Sequence, residues 1–167
     1  MALETLTQGT IGLSERLRTG AVAGLVAGVV FILANMIYAT SQGLPAIAPF
    51  LAIGTIFFFD DMPMMTLEYA LTGVITHFAL ALLFGMIFAL LVPALPNVAA
   101  LVGGALAYGL ALYLINFLIF GNLIFEWFAP GGKGPDQIFE LIIHPVAYGL
   151  LLIPFFVDMV RRSEQGT

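Results

Sequence analysis

Four stretches of this chain, at about 21–40, 66–92, 98–120 and 138–160, are continuously apolar over lengths that a soluble fold rarely hides. A bilayer core takes roughly 20 helical residues to cross, and each stretch reaches that length. In lipid every backbone N–H and C=O must find its partner inside the protein, which leaves only helices and closed barrels. A barrel strand alternates in polarity with period two, and these runs do not. The chain is therefore expected to be all-α, an integral membrane four-helix bundle forming a single membrane domain over 1–167. Composition agrees: 61% of residues are hydrophobic, 9% are charged and the mean hydropathy is +1.08, against roughly half apolar and about a quarter charged in soluble domains. A soluble enzyme is excluded.

A fifth apolar stretch, LPAIAPFLAIGTIFFF at 44–59, is only 16 residues long and carries Pro45 and Pro49 in its first half. It reads as an interfacial or re-entrant segment. Arg16 and Arg18 precede the first run, Arg161 and Arg162 follow the last, and Lys133 is the one other basic residue. By the positive-inside rule both termini are expected in the cytoplasm, as in a bacterial inner-membrane protein. A further crossing at 44–59 would put the arginine pairs on opposite sides. Asp60, Asp61, Glu68, Glu126, Asp136 and Glu140 then fall in or beside the outer loops. The net charge of −5 is thus concentrated on one face, where it attracts cations, and nucleic acid is not an expected partner. The first run, with its basic flank and the Ala39-Thr40-Ser41 triplet, resembles a signal peptide but is longer, and reads as an uncleaved anchor. The chain has no cysteine, so thiolate metal sites, iron–sulfur clusters and covalent c-type haem are ruled out.

Small residues mark where helices can approach. Gly20, Gly24 and Gly28 recur at spacing four in the first run, Gly73 and Gly85 flank His77 and Ala81 at the same spacing in the second, and Gly109 stands in the third. Such seams let backbones pack closely in a membrane. Gly28 precedes Asn35 by seven residues and Gly109 precedes Asn116 by seven, and each run is followed by one containing a single histidine. Asn35 and Asn116 are expected as buried polar residues. The pattern reads as two hairpins repeated in parallel, or as chance similarity in a biased composition.

The polar residues inside the runs are the functional candidates. His77 lies within its seam and faces a helix or a cofactor rather than lipid. Glu140 and His144, four residues apart, share a helix face that Tyr148 continues, and Pro145 makes the backbone beside His144 irregular. With Glu68 these form a mixed carboxylate and imidazole set suited to Cu, Zn or Fe, or to a haem iron held by histidine. Bis-histidine haem is disfavoured by depth, because His77 lies about five residues further from its helix start than His144, roughly 7 Å. In FFFDDMPMMTLEY at 57–69, Asp60 or Asp61 is expected to cap the second spanning helix, with Pro63 in its first turn. The same stretch offers Met62, Met64 and Met65 as thioether donors at a mouth where Asp60 and Asp61 collect cations. HExxH is absent, and GGKGP at 131–135 lacks the ending of a phosphate loop. Gly121 is expected to stop the third helix ahead of an aromatic belt, NLIFEWF at 122–128.

GLALYLINF at 109–117, EWFAP at 126–130 and a histidine with a glycine in the last run resemble small four-helix bacterial inner-membrane proteins, some labelled sodium:proline symporter. A symporter fold needs two repeats of many helices, which this length does not supply. Three functions are open to such a chain: a metal- or haem-binding membrane protein, an accessory subunit of a larger membrane complex, and a small transporter or proton path. Expected partners are the lipid bilayer and either further copies of the chain or other membrane subunits. No catalytic residue is assigned.

Overall fold

A computed structural model of the chain describes residues 12–60, 62–128 and 135–165. Four helices in it are long and apolar enough to cross a membrane: α1 over Leu13–Ser41, α3 over Leu67–Ala94, α4 over Val98–Leu123 and α5 over Gln137–Gln165. A shorter apolar helix, α2, covers Ala48–Phe58. The chain is an all-α four-helix bundle and an integral membrane protein. Each helix except α3 and α4 starts or ends well outside its apolar run, because hydropathy marks the lipid-facing length while the charged ends of the same helix continue beyond it. Both described ends lie at one end of the bundle, here called the terminal end. The α1–α2–α3 and α4–α5 connections lie at the other, the loop end.

The helices start where side chains can accept from the first free N–H groups. Thr66 accepts from Tyr69, Asn97 from Ala100 and Asp136 from Phe139. This corrects one expectation: Asp60 does not cap α3 and Pro63 lies ahead of it, because Thr66 stands next to the first periodic residue and takes the role. Asp61 lies outside the described residues. Gly121 does not stop α4 either; it is helical, and the helix runs two residues further to Leu123.

Glycines set two close pairings of the spanning helices. A Cβ on Gly24 would strike the carbonyl of Ala81 and one on Gly85 the carbonyl of Gly20, so α1 and α3 touch backbone to backbone. Across the bundle, a Cβ on Gly109 of α4 would lie 2.6 Å from the His144 carbonyl of α5, and one on Gly149 would meet the carbonyl of Ala105. Gly73 serves a different neighbour: it and Gly54 let α2 lie against the first turns of α3, over Phe50 and Tyr69. Without side chains at these points, backbones approach closely enough for dispersion contacts to hold helices that lipid does not push together.

The bundle is packed unevenly. In its terminal half Ala23, Ala27, Phe88, Leu101, Ala105, Leu152, Phe156 and Val160 form one buried core. The phenol of Tyr148 donates to the Ala81 carbonyl at 2.6 Å and that of Tyr108 to the Phe84 carbonyl at 2.7 Å, tying α5 and α4 to α3 near mid-bundle. On the loop side of these ties α4 passes through a π-helical segment at Leu114–Phe120, and α5 through another at His144–Gly149, which includes the Tyr148 tie itself. The second contains Pro145, whose missing N–H already breaks the α ladder.

Candidate functional site

On the loop side of the Tyr148 tie the four helices diverge around a cavity of about 1070 Å³. Its walls come from Phe31 and Ile32 on α1, Leu80 and Phe84 on α3, Leu112 and Phe117 on α4, and Tyr148 on α5. Its roof is α2 and the turn at Glu126–Phe128, joined where the Trp127 indole donates to Thr55 at 3.1 Å. Thr55 is fully buried and passes its own hydroxyl hydrogen to the Ala52 carbonyl. On one side Tyr38 closes the rim, stacking on Phe139 at 4.0 Å and donating to Asp136 at 2.8 Å. The Phe139 N–H and this phenol together hold the Asp136 carboxyl below the usual carboxylate range.

Few polar groups enter an otherwise aromatic and aliphatic hollow. His77, His144 and Glu140 all line it and are all buried. The Nε2 of His77 lies 2.9 Å from the carbonyl oxygen of Gly28. A carbonyl can only accept, so Nε2 carries the hydrogen and the neutral ring keeps its lone pair on Nδ1. His144 is the reverse case: its Nδ1 donates to the Glu140 carbonyl at 2.8 Å, leaving the lone pair on Nε2. Both imidazoles pack against Phe31, His77 stacked at 6.2 Å and His144 edge-on at 4.7 Å.

Glu140 is 4% exposed, and its Oε2 has no hydrogen-bond partner among the described residues. That oxygen lies 3.3 Å from Nδ1 of His144, but the imidazole hydrogen points to the backbone carbonyl instead. An unpartnered buried polar atom typically costs about 1–3 kcal/mol, so the chain alone leaves this position unsatisfied.

The remaining candidates separate. Asn35 is buried and lines the cavity, with its amide donating to the Phe31 carbonyl at 3.2 Å. Asn116 also lines it but is half-buried rather than buried, since it lies in the π segment at the open side. Met62 and Met65 line the mouth, whereas Met64 and Asp60 do not and are exposed. Glu68 is exposed in the first turn of α3 and is not part of the cavity. Nine residues separate it from His77, which is about 13.5 Å along a helix and half a turn around it. Among the described residues no three histidine, aspartate or glutamate side chains gather closely enough to hold a metal ion.

Sequence reasoning reached the histidines and Glu140 through their rarity in apolar runs. It did not reach Thr55, Trp127 or Tyr38, whose pairings join residues far apart in the chain. Compared with known proteins, the chain matches no family model, no curated protein and no solved structure.

Proposed function

We propose that this membrane protein binds a lipid-soluble small molecule in the cavity at the loop end of the bundle, with His77, His144 and Glu140 contacting the polar part of that molecule. The observation that carries this reading is the combination of a large hollow, mostly apolar walls and a few buried polar groups with unused hydrogen-bonding capacity. Leu83, Ile115 and Phe120 line the hollow and are exposed apolar residues, which suits entry of such a molecule from the bilayer. Protein purified in mild detergent and extracted with organic solvent should yield a near-stoichiometric compound by mass spectrometry. Ala48→Trp, which pushes an indole into the space from α2, should lower that yield several-fold while leaving the elution profile unchanged. Equal yield from both proteins would remove the cavity as the binding place.

A second reading rests on the two imidazole lone pairs. A histidine that donates through one nitrogen presents the other as a ligand, which suits a metal bringing most of its own ligands, as haem does. The visible spectrum and metal content of the same preparation decide between the two: a Soret band or stoichiometric metal favours the second.

The arginine pairs near both described ends support cytoplasmic termini in a bacterial inner membrane. Cysteines placed at Ser14 and Ser163 are expected to resist impermeant thiol reagents in intact cells, while one at Met64 reacts. Labelling at either terminal position would reverse the assignment.

A further inference from the structure

We infer that the molecule taken up by the cavity is a lipophilic organic cation, an amine or onium ion with an apolar body, whose charged head lies against Glu140. This rests on the proposed cavity binding and adds the charge of the ligand. The first support is the carboxylate itself. Glu140 is 4% exposed, lines the hollow and holds an oxygen with no hydrogen-bond partner among the described residues, 3.3 Å from the His144 Nδ1 whose hydrogen goes to a carbonyl. An ionised carboxylate buried this deeply is costly unless a positive charge stands against it. The second support is the sign of the surroundings. The described lining residues include Asp136 as well as Glu140 and no lysine or arginine, and the two histidines there each keep one nitrogen as an acceptor when neutral.

The third support is aromatic. Phe31 and Phe117 both line the hollow and both pack edge-on against the His144 imidazole, at 4.7 and 5.6 Å, and Nδ1 of that imidazole is 3.3 Å from Glu140 Oε2. An aromatic face attracts a cation most strongly where water is excluded. An amine with a hydrogen to donate would meet a second acceptor in Nε2 of His144. A neutral molecule would fill the same walls but leave Oε2 as it stands, and an anion would add repulsion to it.

The test uses the full-length protein in detergent and equilibrium dialysis with three probes: tetraphenylphosphonium, uncharged triphenylphosphine oxide and decanoate. The phosphonium is expected to bind more tightly than either of the others. Glu140→Gln should weaken the phosphonium by about ten-fold or more, equivalent to about 1.4 kcal/mol, and leave the phosphine oxide unchanged. Glu140→Asp should retain most of the phosphonium affinity. If Glu140→Gln does not fold, the ranking of the three probes on the unaltered protein still decides. Equal binding of the cation and the neutral probe, or stronger binding of decanoate, overturns the cationic assignment and leaves the cavity as a neutral or anionic site. Failure of all three to bind overturns the assignment and the cavity reading together.

Discussion

Gly24→Leu is expected to prevent recovery of a monodisperse folded protein in mild detergent. A Cβ at this position already meets the Ala81 carbonyl and the Gly85 backbone, neither of which can rotate away, and leucine adds three further carbons behind it. Overpacking a side-chain core costs about 1–3 kcal/mol. Here two backbones would have to part along a seam that also includes Gly20 and Gly28, so the loss should exceed that range. Val26→Leu, two residues further along α1 at a position 43% exposed, is the control and should leave the thermal midpoint in place. Size-exclusion profiles and melting curves of the two variants give the answer. A Gly24→Leu protein that melts with the parent would show that α1 and α3 can separate at little cost.

The second large effect concerns the uneven packing. Phe156 is fully buried, with its ring 5.6 Å from that of Phe88 in the core of the terminal half. Phe156→Ala should cost about 3–5 kcal/mol, as large aromatic truncations do in well-filled cores. Lipid cannot enter the gap to replace the lost contacts, so the packing part of that cost persists in a membrane. Phe31→Ala removes the same atoms at the wall of the hollow, where one side of the ring already lacks neighbours, and should cost less than half as much. Reversible unfolding in mixed detergent with increasing SDS measures both. Similar losses would mean that the two halves are packed alike.

How far such a molecule can be read from its residues depends on whether the relevant pattern is local. The four spans are local: an apolar run of this length has few other uses, and the run itself is enough. Gly20, Gly24 and Gly28 stand out because they repeat along one helix face. Gly54 and Gly149 meet neighbouring carbonyls just as closely, yet each stands alone in its helix, and nothing along the chain marks a partner on another element. Glu140 and His144 could be grouped because four residues keep them on one face. Grouping Glu68 with His77 failed on the same arithmetic, since nine residues turn the side chain to the far side. Thr66 was legible as a cap, being a hydroxyl residue directly before the apolar run, but the more conspicuous aspartates ahead of it drew the assignment. The hollow itself had no local signature. It comes from α2 lying across the loop end, from Trp127 reaching Thr55 over 72 positions, and from two helices that each carry a wide turn along it.

Those wide turns carry a meaning in terms of backbone path. A π segment closes its hydrogen bonds over five residues instead of four, so each such turn contains one residue more than the α turn beside it. The extra residue widens the helix locally and re-aims the side chains on that turn. In α4 the segment lies between Tyr113, which faces the core, and Gly121; in α5 it starts at His144 itself. Each helix thus takes a longer backbone circuit along the open end than it does through the filled one.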